Sequence, residues 1–549
     1  MIRSSLFILV IFTTILQPFS VCAQQKTAPK IEWQKCYGGS DWEGVPSGGG
    51  KQILQTADGG YIVAGISNSS DGEVTGNHGD YDIWLLKITP TGDIQWQRSL
   101  GGTGMEYWSA IQQTNDGGYI IAGQTSSNDG DVSGNHGGID YWVIKLSANG
   151  DIQWQKCYGG SLIEQLTSIC TTSDGGYIVS GASYSNDGDV SGNHGQDQAD
   201  CWIVKLTATG DIQWQKCYGG SLRDGYSSMC TTSDGGYIIS AHAESTDGDV
   251  VGIHGGIDVW IIKLTATGDI QWQKCLGGSL NDFTTSILET KDGGYIVAGP
   301  SSSNDGDVSG NHGLSDYWVV KLTASGDIDW QRSFGGSSND HAYHIEEFLD
   351  GGFIISGFSN SVDGDLSGDR GRTDSIDAWL IGLSSEGDIQ WQKRFGGSGW
   401  DYFAQTLQTQ DSGFIAIGGT HSNNGDVSGN HGQDDLWVVK FGSGIDTCGD
   451  SIMSAFLRTG KVQLSIFSII PNPAATSAIL TVESQEGSYS EIEIVSLTGA
   501  VVKRISANLG KGKQEIPLTG LESLMTGSYE VVVKSDGDAI THTKLNIVR

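Results

Sequence analysis

Residues Asp116 to Gly160 read DGGYIIAGQTSSNDGDVSGNHGGIDYWVIKLSANGDIQWQKCYGG, and this pattern recurs along the chain. The tryptophan of the IQWQ segment returns at Trp33, Trp96, Trp154, Trp214, Trp272, Trp330 and Trp391, at intervals of 63, 58, 60, 58, 58 and 61 residues. A second tryptophan returns in the DxW segment at Trp84, Trp142, Trp202, Trp260, Trp318, Trp379 and Trp437. A tight DGG turn precedes Tyr61, Tyr119, Tyr177, Tyr237, Tyr295 and Phe353, and the variant DSG precedes Phe414. Three markers each count seven, so repetition governs the fold.

Each unit holds four short apolar segments separated by glycine or Asx signals, the pattern of strands and turns rather than of helices. In the third unit they are QLTSICTTS, GYIVSGAS, DCWIVKL and DIQWQKCYG, which we name a to d. Four strands per unit, at a period a little beyond the ~50 residues of kelch repeats, predict an all-β seven-bladed β-propeller. Strand a carries small residues and is placed at the crowded axis; the tryptophan strands c and d are placed toward the rim. The chain enters the array at a d segment, Ile31 to Gly39, and leaves it at a c segment, Asp435 to Phe441. Ile31 to Tyr37 is therefore expected beside Asp435 to Phe441, closing the ring and covering an open edge.

The DGGYIVAG, DYWVVKL, GDIQWQK and GGS segments resemble the secreted β-propeller repeats of Bacteroidota surface proteins, in the style of the delta-60 and SBBP repeats. The resemblance covers residues 31 to 441 and implies a fold. It implies no activity, because propellers host unrelated functions.

The chain has 549 residues, 82 glycines, only 8 prolines and a formal charge of −33, which argues against nucleic acid as a partner and disfavours anionic lipid surfaces. Arg3, the apolar run Leu6 to Leu16 and Val21-Cys22-Ala23 read as a signal peptide ending at Ala23. No other apolar run is long enough to span a membrane. Beyond Cys22 lie Cys36, Cys157, Cys170, Cys201, Cys217, Cys230, Cys275 and Cys448. An even number in an exported chain points to disulfides. The blade geometry opposes this for Cys157 with Cys170 and Cys217 with Cys230, which fall at rim and hub, farther apart than the ~7 Å a bridge spans.

All seven long connections join b to c, so one face is elaborate and the other plain; binding sites favour the elaborate face. These loops read NDGDVSGNHG at Asn128, Asn186 and Asn304, with close variants elsewhere. Their closely spaced oxygens (Asp129, Asp131 and Asn135; Asp187, Asp189 and Asn193; Asp305, Asp307 and Asn311) are of the kind Ca2+ takes, ~6 to 8 per ion. The alternative is that they cap their own turns. The NHG histidines, such as His78 and His136, are too dispersed to share an ion and are assigned to loop packing. An acidic residue also recurs five positions after the first glycine of each GG pair, at Glu43, Glu106, Glu164, Asp224, Asp282, Asp340 and Asp401. These carboxylates either ring the channel mouth or cap the turn between blades.

Repeated features explain a fold, so a specific ligand is sought where the repeat breaks. Trp42, Trp108 and Trp400 lie outside the two tryptophan markers, in repeats one, two and seven, and Tyr107 and Tyr402 accompany them. Such a cluster binds sugar faces or a protein partner, or else fills gaps between blades. A second break is His341, His344, Glu346 and Glu347 in strand a of repeat six, with Arg370 and Arg372 in its loop. Three positions apart, the two histidines are expected on opposite faces of the strand. No GxSxG, HExxH, phosphate-binding glycine loop or CxxC pair occurs.

From about Ile466 glycine falls and short alternating strands follow, the pattern of a small antiparallel β-sandwich. IIPNPAAT with Pro471, Asn472 and Pro473, then SLTGAVV, MTGSYEVVV and the terminal KLNIVR with Lys544 and Leu545, resemble the type A C-terminal sorting domain of the type IX secretion system. That resemblance implies the type IX machinery as a partner and a secreted or outer-surface location, with no catalytic role. The domains read as signal peptide 1–23, propeller 24–444, linker 445–465 and sorting domain 466–549. The functional expectation is a non-catalytic module that binds or displays glycan or protein. The alternative is a polysaccharide-active glycosidase or lyase using the long-loop face, which would need paired carboxylates ~5 to 9.5 Å apart.

Overall fold

The computed structural model describes residues 27–45, 50–195, 198–348, 351–366 and 375–444 and, toward the C-terminus, 464–470, 478–484, 488–496, 501–509, 511–519, 521, 524, 527–535 and 538–547. The expected signal peptide, most of the expected linker, Arg370, Arg372, Cys448, Pro471, Asn472 and Pro473 lie outside the described residues. Contacts divide the described chain into two compact units, 27–444 and 464 onward. Among the described residues no helix is long and apolar enough to cross a membrane.

The first unit is built of seven antiparallel sheets, each with its strands in the order a, b, c, d. In the third these are Glu164–Thr171, Tyr177–Ser183, Asp200–Leu206 and Ile212–Tyr218. The seventh joins Asp401–Gln408, Phe414–Thr420 and Asp435–Phe441 to Ile31–Tyr37, with Ile31 opposite Phe441 and Tyr37 opposite Leu436. The expected pairing of the first strand with the last c strand is thus present. Strands a of successive sheets touch one another, and Asp401–Gln408 touches Ile53–Gln55 of the first sheet. The arrangement is propeller-like, with strands a innermost.

Both tryptophan motifs are explained by one hydrogen bond. The c-strand indole donates to the second glutamine of IQWQ in every sheet, as in Trp142 to Gln155 at 2.7 Å and Trp202 to Gln215 at 2.7 Å. In the seventh sheet the glutamine comes from the N-terminal strand: Trp437 donates to Gln34 at 2.9 Å. The c-strand tryptophans are fully buried between sheets, where Trp202 packs 4.7 Å from Tyr141. This corrects their expected place at the rim. A c strand is flanked by neighbours within its own sheet, so its wide ring fills the gap to the adjacent sheet, whereas the d-strand tryptophans other than Trp391 are half-exposed.

The DGG turn is held by its aspartate. Asp116 accepts from the Gly118 amide at 3.0 Å and from the Thr114 hydroxyl at 2.5 Å, while Gly117 takes φ 81°, the left-handed region where a side chain is costly. Lys145 of strand c, only 5% exposed, reaches the same carboxylate at 2.9 Å and ties the hairpin to the sheet. Lys87, Lys205, Lys263, Lys321 and Lys440 repeat this contact. Sheet six has Gly382 instead, and Trp391 folds into the vacated place, 7% exposed, where a Cβ on Gly382 would collide with the indole.

The second unit has a three-stranded sheet (Leu464–Ile470, Ala478–Ser484, Gly512–Leu518) and a four-stranded sheet (Ser488–Ser496, Val501–Leu509, Gly527–Ser535, Asp538–Ile547). Alternate residues of both, including Leu480, Ile492, Val531 and Leu545, share one buried core.

Candidate functional site

The long b–c loops are closed by their own polar side chains. Asp129, Asp187 and Asp305 accept the amides of Thr103, Ser161 and Ser279 in the adjoining crossovers, at 2.7 to 2.8 Å. Asp131, Asp189 and Asp307 face the amides of Gly101, Gly159 and Gly277 at 3.3 to 3.4 Å. Asn135, Asn193 and Asn311 donate to the carbonyls of Thr125, Ser183 and Ser301 and accept from Gly137, Gly195 and Gly313. Each NHG histidine places Nδ1 against the buried aspartate of DxW, as in His136 to Asp140 at 2.6 Å. The interaction with Asp140 raises the affinity of His136 for its proton against the opposing effect of burial. Among the described residues no three His, Cys, Asp or Glu side chains converge as a metal site.

The crossover acids are fully buried and do not line a channel mouth, which corrects that alternative. Glu164 accepts the Gly160 amide at 2.8 Å and the Ser183 hydroxyl at 2.8 Å. Asp224 and Asp401 cap Gly220 and Gly397 in the same way. Burial pushes the carboxyls of Glu43, Glu164, Asp224 and Asp401 upward, partly offset by these bonds. The GG pair is needed because its first glycine passes the acids: a Cβ on Gly159 would lie 2.6 Å from Asp140.

Symmetry breaks at the junction of sheets seven, one and two. Trp42 bridges to Asp434 through the backbone and packs edge-on to Tyr81, 5.7 Å between centroids. Tyr81 in turn meets Tyr107 at 6.1 Å. On the other side Trp400, 63% exposed, stands 6.1 Å from the His421 ring, and His421 Nε2 lies 3.3 Å from Asp434. Trp400, His421, Asp434, Trp42, Tyr81 and Tyr107 thus form one linked arc. Tyr402 lies more deeply, donating to the Val45 carbonyl at 3.0 Å and touching Tyr343. The side chain of Trp108 is outside the described residues.

Asp434 is 3% exposed and its Oδ1 has no hydrogen-bond partner. Burial, reinforced by Asp435, Asp401 and Glu43, pushes its carboxyl up to about 7, against the partial offset of the Trp42 indole. Tyr81, His421 and Asp434 were not singled out in the sequence. The signal was available: the residue before DxW is Tyr81, Ile139, Ala199, Ile257, Ser315, Ile376 and Asp434, and only the last is charged.

His341 and His344 pair with Phe358 and Ser356, two apart on strand b, because a bulge falls between Ala342 and His344. They therefore share a face, contrary to the expectation from simple alternation. The same irregularity recurs in strand a of sheets two, three, four and seven.

Residues 468–548 match the family of the secretion system C-terminal sorting domain. The chain is exported by the type IX system to the cell surface or beyond it. A curated relative, the regulatory protein FlaEY of Caulobacter vibrioides, is 28% identical over 159 residues, 27% of this chain and 16% of the relative's length. Among solved structures, BBS1N in complex with ARL6DN is 10% identical, covering 76% of this chain and 97% of that one with a TM-score of 0.41. The polysaccharide lyase Uly1 is 12% identical over 76% and 94%, with a TM-score of 0.40. A protein of unknown function from Bacteroides caccae is 13% identical over 58% and 92%, with a TM-score of 0.34. At these scores the likenesses carry no argument.

Proposed function

We propose that the exported chain is a closed seven-bladed propeller that acts as a non-catalytic binding or display module, taking glycan or protein on the arc from Trp400 to Tyr107. The contacts of each strand a with the next, and of the seventh sheet with the first, support the closed ring. The observation that carries the binding reading is the exposed Trp400 joined to Trp42, Tyr81 and Tyr107 on three adjoining sheets, because aromatic faces left at a surface stack on sugar or protein. Glycan-array binding of the full chain, compared with a Trp42→Ala, Trp400→Ala double variant, tests it. Retained binding by the double variant would refute this site.

A second reading is favoured by Asp434. A carboxyl that keeps its proton near neutrality, beside an aromatic platform, has the character of a general acid for glycosidic cleavage. Hydrolysis of an array-positive glycan by the parent chain, lost in Asp434→Asn, would convert the binding module into an enzyme.

A further inference from the structure

The strands a converge on the axis, and their second halves, next to the a–b turns, enclose a cavity of about 230 Å3. It lies toward the short-turn side, away from the aromatic arc. Ordinary repeats give this part of strand a small or aliphatic residues, including Ser168, Ser228 and Ser286 at one level and Cys170, Cys230 and Leu288 at the next. Four lining side chains depart from that pattern: Lys51 from repeat one, Gln112 from repeat two, and His344 and Glu346 from repeat six; of these only Lys51, His344 and Glu346 are titratable.

His344 is 8% exposed and its Nδ1 has no hydrogen-bond partner. Burial, with the Lys51 charge, drives its pKa down to about 3, so it lines the cavity as a neutral imidazole. An unpaired polar atom in such a place is costly unless something fills it. His344 Nε2 lies 4.0 Å from Glu346, and among the described residues Glu346 and Lys51 form no ion pair with each other. Burial raises the Glu346 carboxyl; Lys51 and Lys291 oppose the rise and Glu347 adds to it. The thiols of Cys170 and Cys230 are pushed by burial to about 11 and about 12, so both stay protonated and are not nucleophiles at neutral pH.

We infer that this axial cavity is a binding site for a small zwitterion of the α-amino acid class, its carboxylate on Lys51, its ammonium on Glu346 and a polar group on His344 Nδ1. Size limits the ligand, because pockets for drug-sized molecules are ~300 to 1,000 Å3 and this one is smaller. A cation and an acid in one cavity without an ion pair between them are both satisfied by a ligand carrying the opposite charges. An ammonium beside Glu346 also favours its ionised form, opposing the rise that burial causes.

The test is calorimetry on the full chain with single neutral α-amino acids, run in two buffers of different ionisation enthalpy, with glucose and acetate as comparison ligands. The expected result is saturable binding of at least one amino acid. The near-isosteric Glu346→Gln should weaken it about tenfold or more, and Lys51→Met likewise. Trp400→Ala should leave it unchanged, which separates this site from the aromatic arc. Absence of binding across the amino acids, equal binding of glucose or acetate, or undiminished affinity in a folded Glu346→Gln chain would each overturn the assignment.

Discussion

His421 Nε2 lies 3.3 Å from the carboxylate of Asp434, a contact no other repeat can make, because only the seventh has a carboxylate before DxW and a histidine at the end of strand b. The folded-state pKa of Asp434, about 7, exceeds that of an exposed aspartate. As pH rises, the unfolded chain loses this proton first, so stability falls between ~4 and ~7. Asp434→Asn should therefore melt higher than the parent at a mildly alkaline pH and close to it in mild acid. A tenfold difference in proton affinity between the folded and unfolded chain is worth about 1.4 kcal/mol, so the gap is a few kcal/mol at most. Thermal melts of both chains across this range check it, and a parent whose relative stability rose with pH would contradict it.

The buried cap of Glu164 should not tolerate removal. Glu164→Ala leaves the Gly160 amide and the Ser183 hydroxyl without their acceptor and should cost about 1–3 kcal/mol, read by urea unfolding. Glu164→Asp should cost much less, since Asp224 fills the same role one repeat later at the same 2.8 Å distance from its glycine amide.

Chelation is expected to leave the melting midpoint unchanged. The oxygens of Asp129, Asp131 and Asn135 already accept backbone amides within and between loops. A midpoint that drops in EGTA and recovers with Ca2+ would show that these groups hold an ion instead.

The seven described cysteines are free, and Cys36, Cys157, Cys201, Cys217 and Cys275 are buried. Burial raises the Cys157 thiol to about 12. Iodoacetamide should label these residues only after unfolding, and a reductant should not shift the melt. A mass consistent with Cys157 linked to Cys170 would contradict the strand order.

Much of the fold was legible because its determinants are local and repeated. Trp33 to Trp391 counted the sheets, and the phase of Ile31 to Tyr37 gave the pairing with Asp435 to Phe441. The face shared by His341 and His344 was not legible, since the bulge that sets it depends on register with the neighbouring strand. Trp42, Tyr107 and Trp400 stood out as departures from the motif. Tyr81, His421 and Asp434 did not, because their roles come from a junction between the first and last repeats, 353 positions apart for Tyr81 and Asp434. The axial group was half visible: His344 and Glu346 were noticed, whereas Lys51 gains its meaning only from the convergence of strands a.

The strand Ile31–Tyr37 precedes the other described strands in the chain, yet it pairs with residues some four hundred positions downstream. Until the seventh repeat emerges, Ile31–Tyr37 has no strand to lie against and Gln34 has no Trp437 indole to accept from. Among the described residues the seventh sheet is thus the one that takes strands from both ends of the repeat array. A chain cut short within the seventh repeat leaves Ile31–Tyr37 without its partner strand, and an unpaired strand edge is a template for association with other chains.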